Sequence, residues 1–256
     1  MNETLLEAYD RTRRWIPELI PGGLSYELDG PLLRITGMHQ GFVEGPPVLQ
    51  AAYLDELIAR QCAYFAARGE AFEWKTRGHD LPADLPDRLT RAGFVPETPE
   101  TVLVGLAKDL DSGSPPPAGV TIRQVTADDD LRAIAAMESE VWGEDWSWVA
   151  DDLIRRVADD PGAITILVAE AGDRVVSAAW LVHKPGTGFA GLWGGSTLKE
   201  FRGRGIYRAL VAARARLAVA AGVVHLQVDA SEDSRPILQR LGLQAVTTTT
   251  PYVWRP

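Results

Sequence analysis

Apolar positions in this chain recur with two periods, and the switches between them lay out the elements. Leu54, Leu57, Ile58, Cys62, Phe65 and Ala66 return at three- or four-residue steps, which predicts an amphipathic helix over Leu49 to Ala67, closed by Gly69. Before it, Leu5 to Trp15 has helical spacing, Leu32 to Ile35 reads as a short strand, and Gly41 to Pro47 precedes the long helix. After it, Phe72 to Thr76 alternates as a strand, Leu81 to Ala92 reads as a short helix closed by Gly93, and Glu100 to Ala107 as another strand.

Asp111 to Gly119 is built of turn formers and a proline triplet, a composition that favours an extended spacer. Beyond it, Val120 to Val125 reads as a strand, Thr126 and Asp129 as a capping box for a helix to about Val141, and Trp146 to Ala158 as a second helix. Ile164 to Glu170 and Arg174 to His183 form an expected hairpin about Ala171-Gly172-Asp173, followed by a strand over Phe189 to Leu198. Gly205 to Ala221 then reads as a helix with Ile206, Leu210, Ala213, Leu217 and Ala221 on one face. Val223 to Val228, Ser231 to Leu241 and Val246 to Trp254 follow as strand, helix and strand. The order β-α-α-β-β-β-α-β-α-β predicts an α+β fold with helices on a mixed, mostly antiparallel sheet. The expected domains are 1–110, a linker at 111–118, and 119–256. Arg88 to Phe94 parallels Ile237 to Leu243, each a helix end, a glycine and an apolar residue, which points to two related domains.

Composition narrows the function. A net charge of −9 argues against a general nucleic-acid binder. Cys62 is the only cysteine, so no intramolecular disulfide or cysteine-based metal cluster forms, and the four histidines have no ligand spacing. No apolar run reaches the ~18 residues of a membrane span, and Met1 to Thr4 does not open a leader. The expectation is a cytoplasmic protein with no metal.

Against the global charge, Lys199, Arg202, Arg204, Arg208, Arg214 and Arg216 face only Glu200 between residues 199 and 216. That local reversal falls where Arg202-Gly203-Arg204-Gly205-Ile206 joins a strand to a helix. Unpaired N–H groups and the positive end of the helix dipole favour a phosphate there. Arg214 and Arg216, deeper in the helix, read instead as a solvated face. In its place within this element order, the turn resembles the signature of the GNAT superfamily of N-acetyltransferases, over about Val120 to Trp254. The N-terminal half resembles a degenerate copy without a phosphate turn, in which Glu44 would repel phosphate and Asp80 reads as a helix cap beside His79.

The resemblance implies that acetyl-CoA is the co-substrate, bound by Ser196, Thr197, Leu198, Arg202, Gly203, Arg204, Gly205, Ile206, Tyr207 and Ser234. Leu192 to Leu198 would be the family's splayed strand, its Gly194-Gly195 marking a bulge or close approach. Backbone N–H of Thr197 or Leu198 would polarise the thioester. Tyr207 departs from a small residue and either crowds the phosphates or packs inward. Leu238 stands where the family often has its proton-donating tyrosine, leaving Ser234, Tyr252 or water to substitute. Candidate bases are Glu140, Glu144, Asp145 and Asp229. Trp142, Trp146 and Trp148 would wall an apolar or cationic acceptor or form a satellite core, whereas Trp180 and Trp193 read as core. The implied function is acyl transfer to a primary amine on a small molecule or peptide, by direct attack in a ternary complex. The alternative is a non-catalytic acyl-CoA-binding or regulatory protein. No nucleic acid or membrane partner is expected, and a homodimer is left open.

Overall fold

Glycine, more than any other residue type, sets where the helices of this protein stop. The computed structural model describes residues 3–20 and 22–256. Two compact units form, and neither is a continuous stretch: one takes the chain up to Leu103 with Asp229–Arg235 and Ala245–Pro256, the other Val104–Val228 with Pro236–Gln244. The spacing of turn formers marked a boundary near residue 111, but the last strand of the chain belongs to the first unit, so pairing rather than chain order sets the division.

In the first unit, β1 (Ser25–Asp29), β2 (Leu32–Thr36), β3 (Gly41–Glu44) and β4 (Phe72–Arg77) lie side by side; β5 (Val95–Pro96) and β6 (Glu100–Leu106) follow in the chain. The sequence pattern assigned no strand at β3. Val43 from β3 is fully buried against Leu32, which a surface loop would not provide. Helices α1 (Leu5–Asp10), α2 (Leu54–Arg68) and α3 (Leu85–Arg91) complete the unit, α1 shorter than its spacing predicts. Phe65 stacks on Phe72 at 4.2 Å, and Phe94 meets Phe72 edge-on at 5.1 Å. Burying each such ring contributes about 1.5–3 kcal/mol.

The second unit holds α4 (Ala107–Leu110), β7 (Thr121–Val125), α5 (Asp128–Trp142), α6 (Trp148–Asp159), β8 (Ile164–Ala171), β9 (Arg174–Lys184), β10 (Phe189–Thr197) and α7 (Ile206–Ala220). The strand β11 (His225–Ala230), the helix α8 (Arg235–Arg240) and the strand β12 (Gln244–Trp254) end the chain. Here the strand order is β11-β10-β9-β8-β7, antiparallel except for the parallel β10–β11 pair. Leu131, Ile134, Leu153, Val168, Ala178 and Leu210 share its core. The expected capping box is absent: Ala127 takes the N-cap position of α5 without a side-chain bond, and Asp128, Asp129 and Asp130 complement the helix dipole instead.

β12 pairs antiparallel with β4, Tyr252 opposite Trp74 and Trp254 opposite Phe72. The two related tails share a helix-ending geometry. Gly93 and Gly242 have φ of 92° and 112°. Phe94 N–H donates to Leu89 O at 3.1 Å, and Leu243 N–H to Leu238 O at 3.2 Å. Each is the six-to-one bond of a glycine-closed helix, which a residue with a Cβ disfavours.

Candidate active site

β10 is irregular where the second unit most needs it to be regular. It pairs with β11 only over Phe189–Gly191, and its register on β9 shifts between Gly194 and Ser196. Gly194 and Gly195 have φ of 64° and 84°. A Cβ on Gly194 would come within 2.5 Å of the Trp180 ring, and one on Gly195 within 2.8 Å of the Tyr207 ring. The bulge therefore requires glycine twice. It also answers the question raised by Tyr207: the ring packs on Gly195, and burial pushes its phenol up.

The end of β10 is fixed by small polar contacts. The Ser177 hydroxyl donates to Ser196 O at 2.5 Å and lies 2.9 Å from Thr197 Oγ1. Leu198 N–H donates to Val176 O at 2.9 Å, so this N–H is committed to the sheet edge and is withdrawn as a thioester donor. By strand alternation the Thr197 N–H turns to the opposite side, where β10 has parted from β11.

The turn that follows fits a diphosphate. Gly205, φ 89°, caps α7 without a side-chain bond, there is no acidic residue in the first turn, and the first helical bond is Ala209 N–H to Gly205 O at 3.0 Å. The N–H groups of Ile206, Tyr207 and Arg208 therefore lack helical acceptors. Gly203, φ 74°, has open space where a Cβ would project. Arg202 Nε donates to Thr197 O at 2.9 Å and Arg204 Nη2 to Glu200 O at 2.9 Å, so both arginines brace the loop while staying exposed. Glu200 is drawn off by Arg174, which also holds Glu140.

Arg214 was expected on a solvated face but is 1% exposed. It donates from Nη1 to Trp193 O at 3.1 Å and Trp180 O at 3.3 Å, tying α7 to the bulge. Burial pulls its guanidinium down to about 10, only partly offset by Tyr207. Arg216 is surface-exposed, paired with Asp111. Trp193, expected in the core, is 51% exposed.

The candidate bases fall in different settings. Glu140 and Glu144 are exposed, and Glu140 is bound by Arg174. Asp145 accepts from Ser147 N–H at 2.9 Å ahead of α6, and that bond holds its carboxyl below the ordinary range. Asp229 belongs to the first unit and pairs with Lys75 at 2.5 Å. Ser234 shares a turn with Ser231, their hydroxyls 3.2 Å apart. Tyr252 sits in the core of the first unit, and Leu238 is fully buried in the second. Near Lys75, a cavity of about 590 Å3 is lined by Glu97, Glu100 and Ser231, and burial pushes the Glu100 carboxyl up to about 7 against the pull of Lys75.

Elsewhere in the first unit charge is internal. Glu44 holds the buried Arg77 at 2.7 Å, and Asp80 holds the buried Arg13 at 2.6 Å rather than capping a helix. His79 bridges Thr247 and Asp10. Among the described residues, no group of three or more His, Cys, Asp or Glu side chains could hold a metal ion, and no helix is long and apolar enough to cross a membrane.

One residue with a chemical handle escaped the sequence reading. Glu138 lies on α5 at 2% exposure, with Oε2 accepting from Trp142 Nε1 at 2.9 Å and Oε1 without a hydrogen-bond partner. Its signal was present: Leu131, Ile134, Ala135 and Glu138 form one helical stripe, and a carboxylate in an apolar stripe is out of place.

A mixed sheet flanked by helices, with a bulged strand leading through a glycine turn to an uncapped helix, defines the acyl-CoA N-acyltransferase fold. Residues 129–243 match the model of the Acetyltransferase (GNAT) family. A GCN5-related N-acetyltransferase from Kribbella flavida shares the fold with TM-score 0.71 and 17% identity, over 91% of this chain and 90% of that one. A tandem GNAT protein from the clavulanic acid biosynthesis pathway superposes with TM-score 0.63 and 13% identity, over 93% and 85%. A functionally unknown conserved protein from Staphylococcus epidermidis does so with TM-score 0.62 and 11% identity, over 93% and 94%. No curated protein sequence matches the chain.

Proposed function

We propose that this protein is an N-acetyltransferase that moves an acetyl group from acetyl-CoA to a primary amine by direct attack in a ternary complex. The observation that carries the reading is the glycine turn at the uncapped start of α7, directly after the bulge of β10. Bound acetyl-CoA supplies the activated acyl group as a thioester. The N–H groups from Gly203 to Tyr207 and the exposed Lys199 and Arg208 would hold its diphosphate, with Arg202 and Arg204 shaping the turn. The Thr197 N–H is the donor for the developing oxyanion, where one such bond is worth about 2.7–4 kcal/mol. Leu238 moves no proton, so thiolate departure relies on water or a nearby hydroxyl.

That same leucine favours a second reading, an acyl-CoA binder without turnover. Following free thiol with acetyl-CoA and a panel of primary amines separates the two, because only the enzyme releases coenzyme A. Calorimetry with coenzyme A on Arg202→Ala and Arg204→Ala should show about ten-fold weaker binding for each, roughly 1.4 kcal/mol. Unchanged affinity in both would remove the phosphate-turn assignment.

A further inference from the structure

We propose, on the acyl-transfer reading above, that Glu138 is the positioning carboxylate of the acceptor site, taking the amine's proton through the Ser196 hydroxyl. The acceptor is then a primary ammonium on an aromatic or broadly apolar body, lying on the Trp142-Trp146-Trp148 face.

Three observations converge inside the second unit. The Glu138 carboxylate is buried with Oε1 unpartnered, and no arginine or lysine pairs with it among the described residues. A buried carboxylate left in that state is costly unless a cation arrives to meet it. Ser196, at the bulge of β10, offsets part of the rise that burial imposes on the Glu138 carboxyl, and Glu138 Oε1 is left without a hydrogen-bond partner. The Ser196 carbonyl accepts from the Ser177 hydroxyl at 2.5 Å, which fixes the backbone of the bulge beside this carboxylate.

The third observation supplies the body of the acceptor. Trp142 and Trp146 stack at 5.8 Å, and Trp146 and Trp148 lie 5.5 Å apart at 32°. Trp142 remains 56% exposed and Trp148 37%, so the ladder is not a closed satellite core. Trp142 also donates to Glu138, joining the aromatic face to the carboxylate. Aromatic faces attract both apolar rings and cations.

The step balances. The ammonium loses one proton through the Ser196 hydroxyl to Glu138. The freed nitrogen forms the N–C bond as the C–S bond breaks, and its second proton goes to the departing thiolate. Glu138 then returns its proton to solvent, giving amide, thiol and one net proton.

The test uses the whole chain with phenethylamine, which carries a primary ammonium and a ring but no indole. Its binding to acetyl-CoA-loaded protein is followed by tryptophan fluorescence across pH, and thiol release is measured in parallel. In the native protein, affinity should rise with pH as Glu138 ionises. Glu138→Gln should bind about ten-fold more weakly with a flat pH profile, keep its coenzyme A affinity, melt no lower than the native protein, and lose about 100-fold in kcat/KM. Ser196→Ala should lose a similar factor in kcat/KM, with no further loss in the double variant. Phenethylamine failing to bind the native protein, or binding Glu138→Gln with unchanged affinity and pH profile, overturns the proposal. Turnover with an unaltered pH profile in Glu138→Gln overturns Glu138 while sparing acyl transfer. Glu138-dependent binding with no thiol release sinks acyl transfer and keeps the ammonium site.

Discussion

The indole Nε1 of Trp142 donates to Oε2 of Glu138 at 2.9 Å, one turn along α5. This bond gives the buried carboxylate one of its few donors. Burial pushes the Glu138 carboxyl up, so its folded form holds a proton that the unfolded chain has released, and stability falls as pH rises from the ordinary carboxylate range. Trp142→Phe removes a donor to the charged form. Urea denaturation should show a loss of about 1–3 kcal/mol at pH 8 and a smaller loss at pH 4. An equal loss at both would mean that packing, not the bond, is what Trp142 supplies.

Arg214 performs a different service. It is a buried cation whose hydrogen bonds go to backbone carbonyls of α7, β9 and β10. Arg214→Ala should cost on the order of 3 kcal/mol by leaving a void and orphaned carbonyls, and should weaken coenzyme A binding by loosening the bulge. Arg214→Met, which fills the space, should recover part of the stability but not the affinity. Between pH 5 and about 9 neither loss should depend on pH, since the guanidinium at about 10 stays charged. Full recovery of affinity in Arg214→Met would assign the residue to packing alone.

Gly195 and Tyr207 offer a cleaner separation of strain from crowding. Gly195→Ala should destabilise both through its φ of 84° and through the 2.8 Å approach to Tyr207. In a Tyr207→Ala background only the backbone part remains, so the two changes should couple by about 0.5–3 kcal/mol in a double-mutant cycle. Strict additivity would show that the ring moves aside freely.

Glu100 makes the first unit pH-sensitive. Its carboxyl is raised to about 7, so the contribution of its protonated form is full below the unfolded value and is lost as pH climbs to about 7. Glu100→Gln should therefore be more stable than the native chain at pH 8, by on the order of 2 kcal/mol, and equal to it near pH 4. Thermal melts at the two pH values decide it, and no difference at pH 8 would mean that the site hydrates.

Much of the second unit was legible because its punctuation is glycine. Gly143, Gly172, Gly222 and Gly242 adopt positive φ at the ends of elements whose apolar spacing had predicted them. The turn from Arg202 to Gly205 was legible for the same reason. Three strands in the first unit were not: β1 is mostly exposed, β3 spans four residues and β5 two, so none carries enough alternation to read. Arg214 and Glu138 were misplaced or missed because residue type implies solvent, whereas burial is decided by what surrounds the position. Leu238 reads differently beside its counterpart Leu89: both are fully buried and accept the bond that closes a helix. The position is part of a core in both tails.

Residues 1–110 were expected to form a domain, and expressed alone they lack the β12 partner of β4. That fragment should give no cooperative melt by circular dichroism, and a peptide spanning Gln244–Trp254 should restore one. Cooperative unfolding of the bare fragment would show that β12 is dispensable to it.

The β4–β12 pairing also imposes an order on synthesis. Phe72 and Trp74 leave the ribosome well ahead of their neighbours Trp254 and Tyr252. At about 5–20 residues per second, the first half waits on the order of ten seconds or more with that edge uncovered. An early strand is thus completed only by one translated much later.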